Sequence, residues 1–544
     1  MLAWIKSVSQ RILSLILVIL FSLMGGAAAI YATANGPWGS QDAATYLVTA
    51  LNMLRGNGAG YYLADGTFKV LVIQPPFFPF VMSLIGRLGV NLVAAARWLN
   101  VTLFAATILV VGLIFIKFSR SPLLAVPACL LVGAFPNMLK MAVSAMSEPL
   151  FVFLFVLGLF GLMGFLRSGG GRWLVLAGLA SGFLTLTRYI GIALLPAGAL
   201  AILLFLPGRW KKRLGSAVLF ALLAGLPFLI WEGWIYFALN HSLTGRTMVF
   251  DRQSMAGGVV NFYTTATQIA LGWIPLGGQI WGLRFRWRYA VIFLVLAGVL
   301  TMTLLAARRS RKAGGASAGG ELQLFSACGF WVIAYLFAYL FTLLFTKPVS
   351  PVEARTLLPV FVGLALAWMA ALAGWQAAWF HGRLAWLQTL PWLIAGLGLC
   401  LYLPATVNGV LIPYHPGVGK TAYAWGHSET MAAVRALPAD VPIVSNDSYV
   451  IWVWAGRPAY DLMENIQEAF VNHNTPYGTD VNDPAQIAFR QKGAALVIFN
   501  EEFASQLQGA YGGMGKARLG TLFQGLSVGG QYSDGAIYYY PANH

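Results

Sequence analysis

The fold class this sequence predicts is a polytopic α-helical membrane protein of about eleven transmembrane helices, with interfacial helices in its first outer loop and a small C-terminal α/β domain. Three observations predict it. Hydrophobic residues fill 58% of the 544 positions and charged residues only 10%, against about 25% charged in soluble domains. Charge is also split along the chain. Residues 404–544 hold 7 Lys/Arg and 11 Asp/Glu, net −4, which leaves 28 basic and 7 acidic residues, net +21, in residues 1–403. Finally, the long apolar runs stop near residue 403, and short runs separated by turn residues follow. The expected domains are therefore 1–403 in the membrane and 404–544 outside it.

A bilayer core needs about 20 apolar residues per helix. Runs of that kind lie near 12–34, 92–116, 121–139, 146–166, 173–187, 189–207, 214–239, 289–307, 324–346, 356–374 and 384–403. The short fifth and sixth runs can equally be one kinked pair. Orientation comes from Lys and Arg in short loops, which favour the cytoplasm. Lys6 and Arg11 precede the first run, and basic clusters follow the even ones: Lys117 and Arg120, Arg167 and Arg172, Arg209 to Arg213, Arg308 to Lys312, and Arg383. This places the N-terminus in the cytoplasm and, with an odd helix count, the tail outside. The stretch RRSRKAGGASAGG from 308 to 320 reads as a flexible cytoplasmic linker. The first run is longer than a signal-peptide core, so an uncleaved helix is expected. The basic excess belongs to loops rather than to a basic soluble domain, which argues against nucleic-acid binding. Cys129, Cys328 and Cys400 sit in apolar runs without metal or redox spacing and are expected to be buried structural thiols.

Only seven acids precede residue 404: Asp42, Asp65, Glu148, Glu232, Asp251, Glu321 and Glu353. Six of them fall on the outer side of the expected topology. Acids at membrane depth are costly and usually face a cavity or a partner, so a polar site at the outer leaflet is expected. Asp65 and Asp251 read more simply as loop acids, and Glu232 as an acid near a helix end that reaches the interface. Asp42 opens SQDAATYLVTALNMLRGNG, whose apolar residues recur at helical spacing in a segment too polar to span; it should lie along the interface. Ser40 is the expected N-cap, with Asp42 in the first turn. The segment VIQPPFFPFVMSLIGRLG leads from there into the second run. Glu148, between Ser147 and Pro149, marks a helix start. Glu353 and Arg355 stand in VSPVEARTLLPVF, where a local ion pair is the plainer reading. The basic counterparts on the same side are Lys140, Arg188, Lys347 and Arg355, with Arg284, Arg286 and Arg288 in the long 240–288 loop, whose FRWR cluster suits lipid phosphates in general. Arg188, in LTLTRYIGIALLP between two apolar runs, needs a phosphate, a carboxylate or the head-group layer.

This layout resembles the GT-C superfamily of integral-membrane glycosyltransferases, in particular the branch of bacterial protein O-mannosyltransferases and aminoarabinose transferases. The resemblance rests on Asp42, Tyr46, NMLRGNG and QPPFFPF in the first outer loop. It continues in SEPLFVFLF, in the Gly-rich AGLASGFLTLTRYIG ending on Arg188, and in EARTLLPVF. It covers residues 1 to about 375 and, loosely, the tail. Ala43 follows Asp42 where relatives often carry Asp-Glu, Arg188 stands where Lys is common, and Thr356 follows Arg355 in place of an aromatic.

The resemblance implies a polyprenyl-phosphate sugar as donor, in a bacterial or archaeal-type cell membrane, and a lipid, glycan or protein as acceptor. Sugar transfer to a hydroxyl needs a base, for which a carboxylate serves; Asp42 is the candidate. Cations stabilise the leaving phosphate, and Arg188, Lys347 and Arg355 are the candidates for that. Glu148 is expected to orient the acceptor, bind a sugar hydroxyl or ligate a metal. Glu353 is expected to hold Arg355, with Tyr46 also orienting. A single displacement inverts the anomeric centre. No cofactor and no essential metal is expected. A transporter or flippase is the main alternative, but charges at helix centres and duplicated halves, which it favours, are missing from the pattern. A membrane anchor for the tail is the third.

In the tail, VPIVSN, RPAYDL and AALVIFN read as strands, SYVIWVWAG as a helix, DPAQIAFRQKG as a helix, and GAIYYYPA as an alternating edge strand. Asn446, Asp447 and HNTPYG read as loop chemistry, and the domain as serving acceptor recognition, partner binding or a structural cap.

Overall fold

The computed structural model of the protein describes residues 2–239, 247–273, 300–305, 308, 320–347, 351–379, 382–462, 488, 493–500, 503 and 526–539. The FRWR cluster, the DPAQIAFRQKG helix, nearly all of the 308–320 linker and most of the 289–307 run lie outside the described residues. The chain divides into two compact units: Met1–Ala32 with Val72–Phe78 and Trp98–Pro413, and Thr33–Leu71 with Pro79–Arg97 and Tyr414–His544. The expected cut at 403/404 compares with a cut at Pro413/Tyr414, and the second unit also takes in most of the first loop.

The first unit is helical. Seven helices among the described residues are long and apolar enough to cross a membrane: Val8–Ala32, Leu92–Phe118, Glu148–Ser168, Trp210–Ala238, Gly320–Phe345, Leu358–Trp379 and Ala385–Tyr414. An eighth crossing is made if Pro122–Gly133 and Pro136–Ala142, bent by 69°, count as one. The bend has a local cause. Phe135 precedes Pro136 and is extended, at φ −66° and ψ 122°, as a residue before proline prefers. The fifth and sixth apolar runs form the shorter helix Gly171–Thr187 and a second one, Leu194–Phe205, entered through a 3₁₀ turn at Tyr189–Ala193.

Glu148–Ser168 packs against Gly171–Thr187, which packs in turn on Trp210–Ala238. Small residues permit the first contact. A Cβ on Gly161 would stand 2.8 Å from the backbone nitrogen of Ala177, so the helices meet backbone to backbone, as small residues allow in membranes. The apolar residues left uncovered by protein, such as Leu222, Leu226, Leu229 and Ile230 on Trp210–Ala238, form a lipid-facing surface. Cys129 and Cys328 are buried as expected. Cys400 corrects the expectation: it is exposed, because its helix is mostly uncovered by protein.

The basic loops gather at one end of this unit. Arg167 Nη1 donates to the Lys117 carbonyl at 2.5 Å, Lys117 Nζ lies 3.9 Å from the centre of the Trp173 ring, and the Arg120 backbone N–H donates to Glu321 Oε1 at 2.8 Å. Glu148 opens the helix that Arg167 closes, 21 residues in all, so it stands about 30 Å away at 1.5 Å per residue.

The second unit is built on a five-stranded sheet in the order Tyr460–Asp461, Ile443–Ser445, Ala495–Phe499, Gly535–Tyr539, Ser527–Gln531. The first three strands are parallel and the last two pair antiparallel. Gly535–Tyr539 is therefore an interior strand, correcting the expected edge; the edge is Ser527–Gln531, a strand not anticipated. Met431, Val434, Val450 and Ile451 from two short helices pack with Ile443, Val497, Phe499 and Ile537 as the core. Asp447 is more than loop chemistry. It caps Ser448–Ala455 by accepting from the Val450 N–H at 3.1 Å and pairs with Lys420 Nζ at 2.5 Å, with its own side chain fully buried. Asn446 bonds both backbone polar groups of Phe499. The first-loop segment 35–39 lies along 415–423: the Lys420 N–H donates to the Gly39 carbonyl at 2.9 Å and the Tyr423 N–H to the Asn35 carbonyl at 3.0 Å.

Candidate functional site

Four of the ionisable residues singled out in the sequence meet at the end of the first unit opposite the basic loops. They arrive on three differently built elements. Glu148 is the first residue of its helix, with Ser147 before it and Pro149 after it. Its approach is fixed by Asn100, fully buried, whose Nδ2 donates to the carbonyls of Ser144 at 2.6 Å and Met146 at 2.9 Å. Arg188 ends Gly171–Thr187 in extended backbone, φ −151° and ψ 130°, so its side chain leaves where the helix breaks. The break is tight: a Cβ on Gly191 would lie 2.7 Å from the carbonyl carbon and oxygen of Leu184.

Arg355 stands in the turn before Leu358–Trp379, which two tyrosines of Gly320–Phe345 hold in place. Tyr335 donates to the Thr356 carbonyl at 2.5 Å and Tyr339 to the Pro351 carbonyl at 2.8 Å. Inside the turn the Thr356 hydroxyl donates to the Glu353 carbonyl at 2.7 Å.

The two guanidinium groups converge on one carboxylate oxygen. Arg188 Nη1 donates to Glu148 Oε1, and Arg355 Nη1 lies 4.0 Å from the same oxygen, at the outer limit of an ion pair. Arg355 Nε also donates to Glu353 Oε2 at 2.5 Å. Glu148 is 2% exposed, Arg188 and Arg355 about a quarter, and Glu353 40%. The second oxygen of Glu148, Oε2, is buried and has no hydrogen-bond partner. Glu148 borders a small, largely apolar crevice lined also by Phe104, Met138, Met141, Pro149 and Leu358.

Asp42 lies in the first turn of Gln41–Leu54 in the second unit, and Tyr46, one turn on, is buried. Ser40 holds the N-cap position as expected, in extended backbone, although its side chain makes no cap hydrogen bond. Lys347 sits in a two-residue strand paired with Thr247, its side chain exposed, and it joins none of the ion pairs found among the described residues. Glu232 is flanked by Trp231, whose Nε1 donates to the Tyr189 hydroxyl at 3.0 Å, and its Oε1 is buried without a partner. Among the described residues, no three His, Cys, Asp or Glu side chains gather as metal ligands would.

Sequence reasoning missed Asn100, Tyr335, Tyr339 and Thr356. A signal existed for the tyrosines: four residues apart on an apolar helix, their hydroxyls share a face and need partners when buried.

No protein-family model matches the sequence, and neither does any curated protein. Among solved structures, the crystal structure of ArnT from Cupriavidus metallidurans bound to undecaprenyl phosphate aligns over 97% of this chain and 98% of its own, with a TM-score of 0.51 and 13% identity. The apo ArnT structure from the same organism aligns over 96% and 97%, at TM-score 0.48 and 14% identity. The undecaprenyl-phosphate-bound match is a likeness of fold. The chain shares the fold of that ArnT structure over nearly its whole length.

Proposed function

We propose that the protein transfers a sugar from a polyprenyl-phosphate-linked donor to an acceptor hydroxyl on a lipid, glycan or protein. The observation that carries the reading is the convergence of Arg188 and Arg355 on one buried oxygen of Glu148. Paired guanidinium groups at the rim of a membrane helix bundle suit a phosphate monoester or diester, which they grip through several N–H donors. The solved ArnT structure of like fold holds undecaprenyl phosphate, which supports the same class of donor here.

In this reading Arg188 and Arg355 take the phosphate oxygens and stabilise the charge that builds as the sugar–phosphate bond breaks. Glu353 keeps Arg355 aimed. Asp42 takes the acceptor's proton as the oxygen attacks the anomeric carbon, and one displacement inverts that centre. Lys347 adds positive charge near the head groups, Tyr46 supports the helix that carries Asp42, and Glu148 orients a hydroxyl of the acceptor or the sugar. The site faces the extracytoplasmic side, with the N-terminus in the cytoplasm and the tail outside.

The test is sugar transfer from labelled undecaprenyl-phosphate sugars by purified protein in nanodiscs. Asp42→Asn should lower turnover by about 10²–10⁴-fold, the usual contribution of general base catalysis. A wild-type rate in well-expressed Asp42→Asn protein rejects Asp42 as the base.

A further inference from the structure

We propose that Glu148 is an internal competitor for the donor phosphate: its carboxylate holds the anion seat between Arg188 and Arg355 until a phosphate displaces it. The inference rests on the donor reading above and adds a device to it. Both guanidinium groups reach for a single oxygen, Oε1, although they come from a helix break and a distant turn. That is how two arginines share one oxygen of a phosphate.

Opposite charges also face each other within the cluster. Two cations, Arg188 and Arg355, face two carboxylates, Glu148 and Glu353. A phosphate oxygen that takes the place of Glu148 Oε1 between Arg188 and Arg355 must displace that carboxylate. The two carboxylates differ in what displacement means. Glu353 is 40% exposed and turns into water at little cost. Glu148 is 2% exposed and already has one oxygen, Oε2, without a partner. Its other neighbours, among them Phe104, Met138 and Met141, offer little solvation. A buried carboxylate stripped of its cation is strongly disfavoured.

Two consequences follow from that penalty. Phosphate binds more weakly than two bare arginines would hold it, so the polyprenyl phosphate left after transfer is pushed out when Glu148 returns to Arg188. The displaced carboxylate also seeks a hydrogen-bond donor, which a hydroxyl of the donor sugar supplies but sugar-free polyprenyl phosphate does not. The seat thus favours the loaded donor over the spent carrier.

The experiment measures affinity of the purified full-length protein in nanodiscs for undecaprenyl phosphate. Glu148→Gln should bind it at least 5-fold tighter than wild type and release it more slowly. Glu148→Asp, which keeps the charge but draws the oxygen back by one methylene, should tighten binding to a lesser degree. It also stands in if the Gln variant folds poorly. Asp251→Asn, which removes an exposed acid outside the site, should change affinity less than 2-fold, which separates displacement at a buried partner from the general effect of removing a negative charge. A purely structural role for Glu148 predicts the opposite sign, because losing an anchor for Arg188 weakens binding. Unchanged or weaker binding in both Glu148 variants overturns the competitor, while weaker binding in Arg188→Ala keeps the phosphate site. If Arg188→Ala binds undecaprenyl phosphate as wild type does, the phosphate reading itself fails.

Discussion

Single residues decide most of what this site can do, and they do so through burial. Arg188 and Glu148 form an ion pair in which the acid is almost wholly covered and the base about a quarter exposed. Removing one partner of such a pair leaves an uncompensated buried charge. Arg188→Ala should therefore destabilise the protein by about 3 kcal/mol, near the lower end of the range for buried pairs. The double variant Arg188→Ala/Glu148→Ala should melt above Arg188→Ala alone; thermal melting in one detergent checks the order. A different carboxylate shows pH dependence. Burial pushes the Asp534 carboxyl up, but the Ser428 and Thr430 hydroxyls and the Thr430 backbone N–H outweigh it and hold the group below its ordinary value. A depressed folded-state value means stability that is full above the ordinary Asp range and lost as pH falls through the lowered value. Asp534→Asn should thus narrow the stability gap between pH 6 and pH 2, as read by melting at each pH. The charged members of the site were legible in the sequence because an ionisable residue in an apolar chain is rare and costly. Asn100 and Thr356 were not, because they are neutral and their partners are backbone groups that only the folded chain brings near; Tyr335 and Tyr339 left only the trace of two hydroxyls four residues apart on an apolar helix.

Elements place these residues, and tight backbone approaches place the elements. The break that aims Arg188 depends on Gly191, where a Cβ would press on the Leu184 carbonyl. Gly191→Ala should cost about 1–3 kcal/mol, as overpacking does, and should weaken undecaprenyl-phosphate binding by shifting Arg188. Gly171, with open space around its would-be Cβ, is the control: Gly171→Ala should leave both melting and binding near wild type. Helix starts were readable at this scale, since Ser147-Glu148-Pro149 and the 41–54 periodicity carry local rules. Strand positions were readable only in part. Ser527–Gln531 contains Gly529 and Gly530, which weaken any strand signal, and its residues are mostly exposed. It pairs with Gly535–Tyr539 across an irregular register, so the neighbour that looked like an edge is interior. The alternation in GAIYYYPA marked a strand but not its place in the sheet, which depends on a partner the local pattern does not name.

At the scale of the molecule, two units interleave in sequence: segment 35–39 runs beside 415–423, nearly four hundred residues away. Hydropathy could not show that pairing, because both segments are short, polar and rich in glycine. Hydropathy and loop charge did anticipate how charge divides along the first unit. Lys117, Arg120 and Arg167 gather at one end, and Glu148 stands at the other, separated by a helix of 21 residues. Its length of about 30 Å equals the thickness of the hydrocarbon core, so the two ends belong to opposite leaflets. In the proposed topology the excess of Lys and Arg puts the first end in the cytoplasm. Arg209 and Lys347 are exposed positions suited to a test. Arg209 begins the basic cluster ahead of Trp210–Ala238, and Lys347 follows the helix whose first turn, at Glu321, meets Arg120. In a background with Cys129, Cys328 and Cys400 changed to Ser, Lys347→Cys should react with a membrane-impermeant maleimide in intact cells. Arg209→Cys should react only after the membrane is opened. The reverse pattern would turn the protein over and place the guanidinium pair on the cytoplasmic face, where the proposed extracytoplasmic transfer could not occur.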